Sequence, residues 1–259
     1  MQAVDILGDT KTTSALRLLI DALSDARPAV VARATHDLQE LTGEKHTRRE
    51  AWEVWWKEKG DGFDFSKGRH KEARTADSTV AASFNGIQFE SDHTAFLIDS
   101  SRDMAGQLKT QQCTKAEAAL KELESTLSRR RERMRFSLFT YAREITPFSK
   151  KGPVELDAKT EEKALAFVKD QHLQGSKDIW QALDTVLADT DVDTVFLLSS
   201  GEPEVGEYVH WNRIAWHLAE LNRLRKVVVH AIAYSDNQWY RDQLEHIAAV
   251  TGGEFKYFE

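Results

Sequence analysis

The spacing of apolar residues changes character once along this chain. Through about the first sixty positions it is helical; from residue 84 onward, short apolar runs alternate with amphipathic stretches. In TTSALRLLIDALSD, residues Ala15, Leu16, Leu19, Ile20 and Leu23 share one helix face. Thr12 or Thr13 supplies the N-cap, SDARP breaks the chain, and Pro28 suits the first turn of the next helix. There Val30, Val31, Ala34, Leu38 and Leu41 form the stripe and Gly43 the C-terminal stop. A third helix, RREAWEVWWKEKG, places Trp52, Trp55 and Trp56 at i, i+3 and i+4. Such a cluster serves either as an aromatic docking surface or as a cap over the open end of the helix pair, and helix packing favours the cap. The stretch KGDGFDFSKGRHKEARTADST is polar, glycine-bearing and aperiodic, which marks a linker. The expected organisation is a helical segment over 1–60, a linker over 61–83 and a second domain over 84–259.

In that second domain TAFLIDS reads as a buried strand and TKAEAALKELESTLSRRR as a helix. MRFSLFTYA and EITPF make a strand pair whose connection is too short for a crossover, so it forms an antiparallel edge. Two helices follow (KTEEKALAFVKDQ and DIWQALDTVLAD), then the strand DTVFLLSS, the helix HWNRIAWHLAELNRLR, the strand KVVVHAIAY, a last helix and the strand GEFKYF. Strand alternating with helix predicts an α/β fold: a doubly wound, mostly parallel, Rossmann-like sheet preceded by a small all-α helical-repeat segment. In open sheets of this kind a ligand site lies at the carboxyl ends of the strands, where strand order reverses. FLIDSSRDM and FLLSSGEP both put polar loops at such ends, so they are expected to converge.

Composition narrows the classes. With 41% apolar and 30% charged residues in 259, the chain is of ordinary globular make-up. Its net charge of −7 does not draw it to nucleic acid or to anionic membranes. The one basic cluster, SRRRERMRF, joins a helix end to a strand, where cations suit the helix terminus. Cys113 has no partner for a disulfide. No run approaches the roughly eighteen apolar residues of a membrane span, and the N-terminus lacks the features of a signal peptide. The default expectation is a cytoplasmic protein. The chain reads as starting partway through a helical repeat, so an exported form stays open should upstream sequence exist.

Two resemblances carry further implications. ALSDARPAVVARATHDLQELTG resembles a HEAT-type repeat over little more than one unit. A single repeat pair cannot bury its stripe alone, which implies cover from upstream repeats, from the second domain or from a partner. Residues 84–259 resemble a von Willebrand factor A-type (VWA) domain over their whole length, including FNGIQF ahead of the first strand, FLLSSGEP and the closing GGEFKYF. That resemblance implies a metal-ion-dependent adhesion site: Asp-x-Ser-x-Ser after the first strand, a Thr from a second loop and an Asp after the fourth strand. These hard oxygen donors suit Mg²⁺, with an open position for a partner's carboxylate. Asp99 and Ser101 match the first two ligands. Asp103 stands where the third, a Ser, belongs; Lys177, with Ser176 beside it, stands where the Thr belongs; Ser200 stands where the Asp belongs.

Three readings of this pattern are open. In the preferred one the Lys177 ammonium replaces the ion and bridges Asp99 and Asp103, with Ser101 and Ser200 completing its hydrogen bonds. In the second Lys177 faces solvent while Asp99, Ser101, Asp103 and Ser176 hold a weak Mg²⁺. In the third these are ordinary polar loop residues. The expected function is a non-catalytic protein–protein interaction module with a degenerate site, no cofactor, no nucleic acid and no membrane insertion. The alternative is Mg²⁺-dependent adhesion through Asp99, Ser101 and Asp103. A hydrolase centred on Ser200 is a distant third, since the Gly-x-Ser-x-Gly frame is absent. His210 and His217, seven apart, do not form a zinc-binding His-Glu-x-x-His run.

Overall fold

The computed structural model describes residues 7, 10–25, 28–44, 46–65, 82–89, 91, 93–129, 134–223 and 225–259. Most of the expected linker (66–81) and part of the basic cluster (130–133) lie outside them. The chain divides into two compact units, Met1–Ala81 and Ala82–Glu259.

The first unit holds α1 (Thr13–Ala22), α2 (Pro28–Thr42) and α3 (Arg49–Lys59). Thr12 caps α1 by accepting from the Ala15 N–H at 3.2 Å, and Gly43, at φ 73°, follows α2 in the left-handed conformation that a side chain would resist. Leu16, Leu19, Ile20, Val30, Ala34 and Leu38 pack with Trp52 and Trp55 in one core. The two indoles of α3 close it, and each finds a polar partner as burial demands: Trp52 Nε1 donates to the His46 carbonyl at 3.0 Å and Trp55 Nε1 to Glu44 at 3.1 Å.

The second unit begins with a hairpin, β1 (Ala82–Phe84) and β2 (Ile87–Phe89). Its two-residue turn is Asn85-Gly86, both at positive φ, which is the turn chemistry that matches strand twist. The elements β3 (His93–Asp99), α4 (Lys115–Ser128), β4 (Arg135–Tyr141), β5 (Ile145–Pro147), β6 (Val154–Glu155), α5 (Ala158–Lys169) and α6 (Ile179–Leu187) follow. Then come β7 (Thr194–Ser199), α7 (Trp211–Asn222), β8 (Val228–Tyr234), α8 (Gln238–Ala249) and β9 (Phe255–Phe258). The main sheet runs β5-β4-β3-β7-β8-β9, parallel from β4 to β9, with β5 and β6 antiparallel against β4. This is the mixed α/β, mostly parallel sheet that the alternation predicts.

Because side chains alternate across a strand, each central strand feeds two cores. Ala95, Leu97, Val195, Leu197, Val229 and Ala231 meet α6, α7 and α8 on one face. Phe96, Ile98, Phe196, Leu198 and Ile232 meet α4, α5 and the hairpin on the other. The chain leaves β3 toward β4 and returns on the opposite side of β3 as β7, so strand order reverses there. The loops after β3 and β7 therefore open into one crevice.

His230 of β8 is buried against Phe196, ring centroids 4.8 Å apart, and its Nδ1 accepts the Glu254 N–H at 3.0 Å. Burial pushes its pKa down to about 4. An unfolded histidine takes up its proton near 6.5, so the stability that neutral His230 provides is complete above that pH. It is lost as pH falls toward 4, by on the order of 3 kcal/mol. Denaturant titrations across this window should show that loss, and His230→Asn should flatten it. A ring resonance of His230 titrating near 6.5 would contradict this account.

Candidate functional site

Asp99, the last residue of β3, is buried where the two loops meet. Its Oδ1 accepts the Ser101 N–H at 2.8 Å; its Oδ2 accepts the Ser200 N–H at 2.8 Å and the Ser200 hydroxyl at 2.6 Å. Beyond Ser101 the chain makes a single 3-10 turn, Arg102–Ala105, held by the Met104 N–H on the Ser101 carbonyl. That turn brings Asp103 back over the crevice.

Lys177 arrives from the third loop, just ahead of α6. The next residue fixes it from both sides: the Asp178 N–H donates to the Ala142 carbonyl at 2.9 Å, and the Asp178 side chain caps α6 by accepting from Gln181 N–H at 2.9 Å. The Lys177 ammonium lies 2.7 Å from Asp103 Oδ2, 3.6 Å from Glu204 Oε2 and 3.5 Å from Ser101 Oγ. Its side chain is 1% exposed, whereas that of Asp103 is 47% exposed. The loop after β7 also clasps the lysine backbone. Glu204 and Val205 donate their N–H groups to the Lys177 carbonyl at 3.0 and 3.3 Å, and Glu204 Oε2 accepts the Lys177 N–H at 3.3 Å.

Electrostatics keep this lysine charged. Burial alone would lower its pKa, but the field of Asp99, the hydrogen bond to Asp103 and the charge of Glu204 outweigh burial and raise it above the ordinary lysine value. In return the Lys177 hydrogen bond holds the Asp103 carboxyl below the usual aspartate range. Lys115, half-buried nearby, is lowered by burial.

The geometry differs from the preferred expectation in two respects. Lys177 bridges Asp103 and Glu204, not Asp99 and Asp103, because the Asp99 oxygens are already taken by two N–H groups and one hydroxyl. For the same reason the Ser200 hydroxyl serves Asp99 and not the ammonium. Ser101 Oγ stands 3.4 Å from Ser200 Oγ and links the two halves. Ser176 is half-buried, with no side-chain hydrogen bond among the described residues. Glu204 escaped the sequence analysis; the one hint was a carboxylate in the polar loop GEPE directly after a strand. Among the described residues Ser200 has Asp99 and Ser101 as its hydrogen-bond partners, and no histidine.

No family model matches this chain, and no curated protein does. Solved structures do. A von Willebrand factor type A protein from Catenulispora acidiphila aligns with TM-score 0.52 and 15% identity, over 64% of this chain and 38% of that one. The α/β unit has a VWA-type fold. An aerotolerance-related membrane protein from Bacteroides fragilis aligns with TM-score 0.48 and 12% identity, over 64% of this chain and 91% of that one. The conserved hypothetical protein BatB from Bacteroides thetaiotaomicron gives 0.47 and 12%, over 64% and 89%. This chain thus spans well under half the length of the Catenulispora structure.

The lysine pair makes an asymmetric prediction. Asp103→Asn leaves a buried ammonium short of counter-charge and should cost about 1–3 kcal/mol, below the ~3–5 of a fully buried pair because Asp103 is half in water. Adding Lys177→Met removes the buried charge and should recover most of that loss in a double-mutant cycle. The coupling should hold from about pH 5 to 9. It should vanish as pH falls below the ordinary aspartate value and through the lower folded value of Asp103. It should also vanish as pH rises past the ordinary lysine value toward the raised one of Lys177. Additive costs in the cycle would show that the two side chains are not paired in solution.

Proposed function

We propose that this chain is a non-catalytic protein-interaction module whose VWA-type domain carries a degenerate adhesion site, with the Lys177 ammonium in place of a divalent ion. The observation that carries the proposal is the ammonium itself, fully buried and 2.7 Å from Asp103. A hard divalent cation wants oxygen donors on all sides, and here the donor set fits it poorly. One ligand position is a cation that offers no lone pair, and both Asp99 oxygens already accept hydrogen bonds. Ser200 is held by a carboxylate and a second serine, with no histidine base bonded to it among the described residues, which favours recognition over hydrolysis. Among the described residues no helix is long and apolar enough to cross a membrane. In the same reading the N-terminal helices are a HEAT-like segment that adds surface for a protein partner.

Calorimetry with Mg²⁺ and Mn²⁺ tests the site. The wild type should give no saturable heat at millimolar Mg²⁺ and no rise in melting temperature. Lys177→Thr combined with Ser200→Asp should create Mg²⁺ binding by restoring oxygen ligands. Wild-type binding at physiological Mg²⁺ that Asp99→Ala abolishes would instead establish a working metal site and end the degenerate reading.

A further inference from the structure

We propose that the open groove beside Lys177 docks a basic segment of a partner protein, receiving an arginine or lysine side chain. This rests on the interaction-module reading and names its partner chemistry. The groove encloses about 710 Å³ and is lined by Glu202, Pro203, Glu204, Val209, Trp211 and Trp239 among others. That volume falls within the roughly 300–1,000 Å³ of ligand-sized clefts.

Its chemistry selects the guest. Glu202 and Glu204 supply two carboxylates, and among the described residues no lysine or arginine lines the groove. Trp239, at the start of α8, is 51% exposed, an unusual state for an indole. Its ring lies 5.3 Å from that of Tyr240, whose pKa is raised by burial and by the neighbouring Glu202. Carboxylate beside aromatic face is the combination that holds a guanidinium or ammonium, by charge-assisted hydrogen bonds and by cation–π attraction. Val209, also exposed, and Pro203 offer apolar cover for the aliphatic stem of such a side chain.

An acidic guest finds no ammonium or guanidinium among the described lining residues; the side-chain donors there are those of His210, Trp211, Asn212 and Gln243. The Lys177 charge is spent on Asp103 and Glu204, and the ammonium has no face in water. A Cβ built on Gly201 would stand 3.7 Å from Lys177 Nζ and 3.8 Å from the Tyr240 ring, so the main chain and that ring close over it. The charge that the groove presents is the outer, solvent-facing part of the carboxylates. The chain's net charge of −7 adds attraction at longer range.

Fluorescence anisotropy with the full chain tests this, using a labelled glycine/alanine peptide that carries arginines and its counterpart with glutamates at the same positions. The arginine peptide should bind saturably, weaken with added salt, and lose about tenfold in affinity in Glu202→Lys and in Trp239→Ala. Both positions are exposed, so melting temperatures should not change. No saturable binding, equal binding of the glutamate peptide, or indifference to both substitutions would overturn the proposal. Those outcomes leave the interaction module standing. That broader reading fails on a different result: ester or peptide hydrolysis by the wild type that is lost in Ser200→Ala.

Discussion

A positive charge buried at the carboxyl ends of the central strands governs the architecture around it. Taking an ammonium out of water costs several kcal/mol, and Lys177 is 1% exposed. The surrounding loops take the shapes that offset this cost. The 3-10 turn after β3 delivers Asp103, the loop after β7 folds back to deliver Glu204, and Asp99 contributes its field from the end of β3. The returning loop is tied at both its backbone and its side chain to Lys177. It passes so close to α6 that a Cβ on Gly206, at φ 111°, would collide with the Asp178 carboxylate. Only glycine accepts both that φ and that approach. Three loops distant in sequence are thereby locked into one surface.

On the proposed reading, the departures from the adhesion-site pattern at Asp103, Lys177 and Ser200 are mutually consistent. Asp99 sits at the end of a strand buried on both faces and cannot hydrate. In a metal site its charge would be met by the ion; here it is met by two N–H groups and the Ser200 hydroxyl. An aspartate at position 200 would set a second carboxylate against the first, and two such groups cannot both stay ionised without a cation between them. Serine turns that repulsion into donation. Once Asp99 is satisfied in this way it no longer needs the ammonium directly, which frees Lys177 to lean outward onto Asp103 and Glu204.

Much of the fold was legible in the sequence because it follows from local periodicity. Apolar runs such as TAFLID and TVFLLS read as buried strands, and the structure places both at the centre of the sheet; the Asn85-Gly86 hairpin turn was not read from the sequence. The convergence of Asp99 with Ser200 followed from parallel neighbours whose loops leave at the same end. Glu204 was not legible. It meets a residue 27 positions away, through a loop whose return is set by backbone hydrogen bonds that no side-chain pattern encodes. The orientation of Lys177 was half legible: residue type and place implied a carboxylate partner, while the choice among carboxylates depended on which oxygens were already engaged. In the helical unit, helix packing favoured the cap for Trp52, Trp55 and Trp56; Trp52 and Trp55 lie in the core, and Trp56 is half-buried against it.

Exchanging an ion for an ammonium changes what such a surface can recognise. A divalent ion held by loop oxygens keeps an open coordination position, a point of unspent positive charge toward which a partner carboxylate is drawn. A lysine ammonium has three donors, and here they are directed to groups of the same chain, so no valence is left over. The carboxylates recruited to neutralise it are different: Asp103 and Glu204 each remain partly in water, with lone pairs to spare. Burying one cation thus leaves a surface of surplus negative charge beside an exposed indole. Interfaces draw most of their energy from a few aromatic and charged anchors, and charge complementarity governs how fast and how selectively partners meet. On the proposed reading, an ammonium in place of an ion leaves the face able to bind a partner, with the sign of the favoured guest reversed.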